Sequence, residues 1–402
     1  MSRLIAPPLS LYLHFPWCVR KCPYCDFNSY TLQGDLQESG YLDTLERDIA
    51  SQAPEVAGRE IVSVFMGGGT PSLFPPAAIA RTLDMARKHL AFAGDVEVTM
   101  EANPGTIERG RFAEYRAAGI NRVSLGAQSF DAGTLTALGR IHSPDETRRA
   151  AEELHAAGLT NFNLDLMYAL PGQDVAAALS DVEAAIALKP THLSHYQLTL
   201  EPGTVFAAQP PEGLPTDDMA DEILTACGAR LAEAGFAQYE VSAYAQPGRQ
   251  CRHNLNYWNF GDYLGAGAGA HGKITLADGD HRSANSGAII RTTQTRDPRR
   301  YMASPVPTRT PVPEAQRPFE FMLNALRLVE GFEVETFTER TGLPWDLVAR
   351  KVEKLVDQQL LEVQGSRLLA TMVGLRFLNN LLLSFLDETP QTTGGFGLST
   401  AI

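Results

Sequence analysis

The sequence predicts an α/β fold: a partial (β/α)6 TIM-like barrel followed by a small, mainly helical, winged-helix-like C-terminal domain. Three observations carry that expectation. Short β-rich runs alternate with amphipathic or alanine-rich stretches over the first two hundred residues, the pattern of a parallel sheet with right-handed crossovers. About six such βα units are present, which suits an open or partial barrel better than a closed eight-fold one. The conspicuous polar and glycine-rich positions, Cys18 to Cys25, Gly67-Gly68-Gly69-Thr70, Glu101, Gln128 and Asp165, come directly after strands. A barrel gathers all its strand C-termini on one face, whereas an open sheet spreads them along a line.

The elements follow in order. Strands are expected at Leu11–Phe15, Ile61–Met66, Val96–Met100, Arg122–Leu125, Phe162–Leu166 and His192–Leu198. Between them, helices are expected at Leu42–Ala50, Ala77–His89, Arg111–Ala118, Asp145–Ala157 and Val175–Leu188. A helix near Asp218–Ala234 and a strand at Tyr239–Tyr244 come next, and after Ala270 the pattern degrades. Six prolines between Arg296 and Pro318 read as a stiffened linker. Three helices (Phe319–Val329, Val334–Thr341, Trp345–Gln358) and a hairpin (Leu360–Val363 with Arg367–Thr371) complete a winged-helix-like unit. The domain plan is therefore a barrel over 1–235, a barrel extension over 236–300, a linker over 301–318, a C-terminal domain over 319–376 and a tail over 377–402.

Composition narrows the function. The 402 residues carry 34 Lys+Arg against 47 Asp+Glu, a net charge of −13, which argues against a nucleic-acid partner or an anionic surface. No apolar run reaches the ~20 residues of a membrane span. The first residues lack the apolar core of a signal peptide, so a cytoplasmic protein is expected. Five cysteines do not make a disulfide framework, and three of them fall within eight residues.

That cluster, Cys18-Val-Arg-Lys-Cys22-Pro-Tyr-Cys25, is the strongest signal in the chain. Thiolates spaced C-x3-C-x2-C can take three corners of a cubane iron–sulfur cluster and leave one iron open for a small ligand. Phe15, Trp17, Tyr24 and Phe27 could shield it from water. Structural zinc, with His14 or a distant cysteine as fourth ligand, is the alternative, although the second ligand pair usual in zinc knuckles is missing. The distant Cys227 sits on an expected helix and reads as core.

A C-x3-C-x2-C loop after the first strand, with a Gly-Gly-Gly-Thr-Pro loop after the second, resembles the radical S-adenosylmethionine (SAM) superfamily. The branch it resembles holds oxygen-independent coproporphyrinogen III oxidase and related haem chaperones. The resemblance implies one [4Fe–4S] cluster on Cys18, Cys22 and Cys25, with SAM at the open iron. It implies SAM contacts from Tyr12, Tyr24, Gly68, Gly69, Thr70, Glu101, Gln128, Arg140 and Asp165. Their chemistry is suitable. Glycines admit close backbone approach, the arginine fork suits a carboxylate, and a carboxyl group in an apolar strand needs a partner.

Two features separate the branch's functions. The oxidase pattern has a further cysteine two residues after the third, where this chain has Phe27. The chain also carries His253-Asn254-Leu-Asn-Tyr257-Trp258, similar to the HNxxYW motif of the haem chaperones. His253 is thus the candidate axial ligand, with Asn254 fixing its ring, Tyr257 and Trp258 facing a porphyrin, and Arg252 meeting a propionate. Cys251 and His271 stand as further candidate iron ligands or as structural residues, the latter after a small-residue run, Gly265-Ala-Gly-Ala-Gly-Ala. The resemblance implies haem as cargo, delivered to an acceptor haem protein of the respiratory chain by a monomer or homodimer. Oxidative decarboxylation of coproporphyrinogen III is the alternative.

Overall fold

The computed structural model describes residues 3–106, 111–277 and 287–386. Strands β1 (Leu9–Phe15), β2 (Glu60–Gly68), β3 (Ala91–Ala102), β4 (Arg122–Gln128), β5 (Phe162–Tyr168) and β6 (His192–Gln197) lie parallel and adjacent in chain order. They are the six expected strands, five of them longer than expected and the sixth one residue shorter, and helices connect them where the apolar periodicity placed them. The helix Pro144–Ala156 shows how locally this is encoded. Ser143 and Glu146 form a reciprocal capping box, and Pro144 takes the first turn, where its missing N–H costs nothing.

Alternation along the strands sorts the two faces. Leu9, Leu11, Leu13 and Phe15 of β1, Val64 and Met66 of β2, Val98 and Met100 of β3, Val123 and Leu125 of β4 and Leu164 and Leu166 of β5 join one core cluster. The intervening residues (Ser10, Tyr12 and His14; Ser63; Glu97, Thr99 and Glu101; Arg122 and Ser124; Asn163 and Asp165) carry the polar chemistry of the opposite face. Cys227 lies in the apolar core, as its helical position suggested.

The sheet is larger than the six-strand plan. The stretch expected as one strand at Tyr239–Tyr244 is two, β7 (Ala237–Glu240) and β8 (Ala243–Ala245), paired antiparallel beside β6. A seventh parallel strand, β9 (Asp262–Ala266), lies on the other side of β1. From it β10 (His271–Leu276), β11 (Ala288–Thr293) and β12 (Thr308–Pro311) continue antiparallel to the sheet edge. The proline-rich segment is therefore not a bare spacer: it holds the helix Pro298–Ala303 and strand β12. Proline is tolerated there because β12 is an edge strand, where a missing N–H breaks no ladder.

The C-terminal domain has the expected helices, Arg317–Ala325, Val334–Thr341 and Asp346–Asp357, and the expected hairpin of Leu361–Gln364 with Arg367–Ala370. A short third strand, Phe332–Glu333, completes a small sheet. Its core of Phe321, Phe332, Phe337 and Leu368 is continuous with Leu4, Phe260, Ile289 and Val312 from the barrel side. Within the stretch read as a tail, Leu378, Leu381, Leu382 and Phe385 enter this core, while residues 387–402 lie outside the described residues.

Candidate cluster and cofactor site

The cysteine loop leaves β1 at Pro16 and is held at both ends. Trp17–Cys18 pairs parallel with Tyr30–Thr31, and the Tyr30 and Leu32 N–H groups donate to the carbonyls of Pro16 and Cys18 (both 2.8 Å). Inside it, a turn brings the Cys25 N–H to the Cys22 carbonyl (3.2 Å). All three cysteines are free and half-buried. Burial pushes the Cys18 and Cys25 thiols up, opposed by hydrogen bonds from Thr70 and Ser29 at Cys18 and from Ser29 at Cys25. The Arg140 guanidinium donates to the Cys22 sulfur (3.5 Å) and to the Gly126 carbonyl (2.8 Å).

The glycine loop is hooked onto this one. Gly69 N–H donates to the Phe15 carbonyl (2.7 Å) and Thr70 N–H to that of Trp17 (2.8 Å). Gly68 has φ +106°, and a Cβ there would lie 2.3 Å from His14 Cε1, so only glycine fits. A Cβ on Gly69 would sit 2.6 Å from the Trp17 carbonyl.

The strand-end residues converge beside these loops. Glu101 Oε2 accepts from the Gly68 N–H (3.1 Å). Burial, followed by the charge of Asp165, raises the Glu101 pKa to about 8. Asp165 accepts from Ser124 (3.1 Å) and Asn163 (2.7 Å); burial raises its pKa, against hydrogen bonds from Ser194, Asn163 and Ser124. Gln128 sits at φ 67°, uncommon for a residue with a side chain, and its Oε1 accepts from Tyr196 (2.6 Å). Tyr24 packs near Phe206 and is in hydrogen-bond contact with Cys22. Tyr12 bonds His14 Nδ1 (3.1 Å) and stacks near Phe65. All twelve residues expected at the cluster and cofactor thus sit on the cysteine and glycine loops, in the strands or their ends, or, for Arg140, on a loop bonded to Cys22.

The donor set fits a cubane with a bound cofactor. Three thiols share one short loop, the arrangement that takes three corners of a cubane. His14, the fourth zinc ligand considered, has both ring nitrogens engaged, Nδ1 by Tyr12 and Nε2 by the Asn28 carbonyl (2.9 Å). Arg140 Nε is buried without a partner, on the same guanidinium that reaches Cys22 and the Gly126 carbonyl.

The residues missed from sequence are the supports of this site: Ser124, Asn163 and Ser194 around Asp165, Tyr196 on Gln128, and Asn28 beside Cys25. Most are inward-facing polar residues in otherwise apolar strands, so their alternation was the available signal.

The HNxxYW motif forms the helix Arg252–Trp258, packed against β1, β2 and β9. The Arg252 N–H donates to Glu97 (2.9 Å), Asn256 bonds Ser10 (2.8 Å), and His253 Nδ1 lies 3.3 Å from the Ser63 hydroxyl. His253 is 6% exposed, with the rings of Phe65 at 5.1 Å and Tyr12 at 6.3 Å. Burial, then the Arg122 charge, lowers its pKa to about 3, so it is neutral. Its neighbours differ from the sequence reading. Asn254 accepts from the Cys251 thiol (3.4 Å), and Ser63 rather than Asn254 holds the His253 ring. Trp258 is buried under Arg327 (4.3 Å), and Arg252 pairs with Asp95 (2.8 Å). Cys251 is fully buried.

A C-x3-C-x2-C loop at the mouth of a partial parallel barrel, backed by a glycine loop and buried carboxylates, defines the class of the radical SAM barrels. Comparison with known proteins agrees: the family model for the radical SAM superfamily matches residues 12–185, and that for the HemN C-terminal domain matches residues 312–377. The chain is 47% identical to heme chaperone HemW of Escherichia coli (strain K12), across 95% of this chain and 99% of that one. It is 44% identical to heme chaperone HemW of Haemophilus influenzae with the same coverage. The solved structure of coproporphyrinogen III oxidase (HemN) from Escherichia coli superposes with a TM-score of 0.78 at 23% identity, over 94% of this chain and 90% of that one, a likeness of fold. The chain belongs to the HemW family of the radical SAM superfamily.

Proposed function

We propose that this chain is a haem chaperone. It holds one [4Fe–4S] cluster on Cys18, Cys22 and Cys25, binds SAM at the open iron, and carries haem to an acceptor protein. The observation that carries this reading is the chain-length identity with heme chaperone HemW relatives, together with Phe27 at the position of the oxidase's extra cysteine. When bound, the cluster supplies an open coordination position and an electron to SAM. The chain's own residues bind and orient: Arg140 balances a carboxylate beside Cys22, Glu101 takes an ammonium, and Gly68, Gly69 and Thr70 admit the ligand to the backbone. Tyr12, Tyr24, Gln128 and Asp165 complete the pocket. Haem ligation by His253 requires the motif helix to move off Phe65 and Tyr12. A respiratory haem protein is the proposed acceptor and the cytoplasm the proposed location. Among the described residues no helix is long and apolar enough to cross a membrane.

The test is anaerobic reconstitution followed by haem transfer. Cys18→Ala, Cys22→Ala and Cys25→Ala should each lose the cluster's visible absorbance, and cluster-loaded wild type should pass haem to an apo-acceptor. Full cluster absorbance in a triple variant would overturn the cluster assignment. Conversion of coproporphyrinogen III to protoporphyrinogen by the purified protein would replace the chaperone reading with the oxidase.

Glu101 adds a pH-dependent expectation. Its folded-state pKa, about 8, stands above the ordinary 4.5, so folding stability is lost as pH rises through that window. Without ligand, Glu101→Gln should therefore gain on the order of 2 kcal/mol at pH 8 and little at pH 5, read by denaturant unfolding. The same variant should bind SAM more weakly, because the counter-charge for the ammonium is gone. A stability gain equal at both pH values would place the effect in packing.

A further inference from the structure

His271 presents an unengaged imidazole where His253 does not. It is the exposed first residue of β10, and its side chain has no hydrogen-bond partner among the described residues. Burial of part of the ring, then the charges of Arg291 and Arg296, lower its pKa, so at neutral pH it is the uncharged imidazole that metals accept.

The ladder fixes its surroundings. Tyr12 pairs with Gly265, and Tyr263 with Lys273, so two residues along the antiparallel ladder Gly265 stands opposite His271. On the far side, His271 pairs with Thr293 and Lys273 with Arg291. Tyr12, Gly265, His271 and Thr293 therefore form one row on one face of the sheet. Gly265 lets the two strands approach closely between Tyr12 and His271: a Cβ there would lie 1.8 Å from the His271 carbonyl.

This face is tied to the cysteine loop by one residue. Asn28, three positions after Cys25, donates to the carbonyls of Ala268 and Arg296 (both 2.9 Å) and accepts from Arg296 Nε (3.2 Å). Gly269 packs against it, with no room for a Cβ (2.1 Å to Asn28 Nδ2). The loop before His271 and the backbone at Arg296 are thus both pinned to the cluster loop. Arg296 is exposed and has no carboxylate partner among the described residues, whereas Arg291 is paired with Glu320.

We propose that His271 is an axial ligand for haem iron, on the inner face of β9–β11 beside the cysteine loop, with Arg296 meeting a propionate. The proposal rests on the haem-carrier reading and assigns the histidine that can reach iron without displacing the motif helix. A neutral imidazole and a nearby cation answer two parts of haem, the iron and a carboxylate.

Anaerobic haem titration of the full-length, cluster-loaded protein, followed by the Soret band, tests this. Wild type should saturate near one haem per chain. His271→Ala and His271→Gln should shift the Soret maximum and weaken binding by at least about tenfold, the low end of what losing even an outer-shell partner of a metal ligand costs. Added imidazole should restore the wild-type spectrum in His271→Ala. His253→Ala should keep the wild-type Soret position, and Arg296→Ala should weaken binding without moving the band. Because His271 is exposed, cluster absorbance and far-UV spectra should match wild type in both His271 variants. Wild-type spectra and affinity in the His271 variants, with loss in His253→Ala, would overturn the proposal and leave the carrier reading standing. Absence of saturable haem binding by wild type would remove both.

Discussion

Gly68→Ala should destabilise the protein by about 2–6 kcal/mol and remove SAM binding. Two costs combine: a β-carbon at φ +106° is strained, and the same atom lands 2.3–2.7 Å from three atoms of the His14 ring. His14 cannot readily step aside. Its ring is bonded on one side to Tyr12 (3.1 Å) and on the other to the Asn28 carbonyl (2.9 Å), and its own carbonyl accepts from Tyr41 (2.5 Å). Displacing the ring therefore disturbs Tyr12 and the segment after Cys25 together. The clash can instead push the glycine loop away, which breaks the Gly68 N–H contact to Glu101 and shifts the Gly69 and Thr70 hydrogen bonds to the cysteine loop. Either relaxation damages the proposed cofactor site. Gly34→Ala is the control: it also has positive φ (74°), but nothing lies within 4 Å of its Cβ. Urea unfolding of cluster-free protein and equilibrium SAM binding would check both effects. A Gly68→Ala protein matching Gly34→Ala in stability and wild type in SAM affinity would show that the close approach to His14 is not rigid.

The barrel strands were legible because each presents a helix-covered face of Leu, Val, Ile and Met, which announces a buried parallel strand whatever lies on its other face. The sheet extension was harder to read. β9 follows directly on the motif helix and is only five residues long, and β12 lies among prolines that mark an edge strand as readily as a linker. Of the proposed site, the cysteine spacing stands out by itself, whereas the family resemblance is what singles out the glycines, Gln128, Arg140 and the acids. Contacts were not legible. Nothing in Cys251-Arg-His253-Asn254 says that Asn254 bonds the thiol and Ser63 the imidazole, since both follow from how one short helix packs on β1 and β2. The same holds for Asn28, an ordinary loop residue in sequence that spans 240 positions to reach Ala268.

Arg122→Met should destabilise the protein by about 3–5 kcal/mol near pH 8, the range expected when a buried charge loses its counter-charge. Arg122 is 2% exposed, on the inner face of β4. Burial works against its charge, but Cys251, Glu97, Tyr239 and Asp165 outweigh it and hold the guanidinium protonated. Two of these groups lead in different directions. Glu97 accepts from the Arg252 N–H at the start of the motif helix, and Asp165 belongs to the proposed SAM pocket. Methionine fills similar volume yet leaves two enclosed carboxylates without the cation between them. The Asp165 pKa, raised by burial and held down in part by Arg122, should then rise further, so the variant's deficit is largest at high pH and shrinks as protonation relieves it on going to pH 5. Unfolding at pH 8 and pH 5 separates this from packing, because a lost hydrocarbon contact would cost the same at both. The charge also lowers the His253 pKa, second to burial, so its removal should raise the pH at which that imidazole titrates. A deficit that persists unchanged at pH 5 would mean that Arg122 acts as filler, and that the motif helix and the Asp165 pocket share no charge between them.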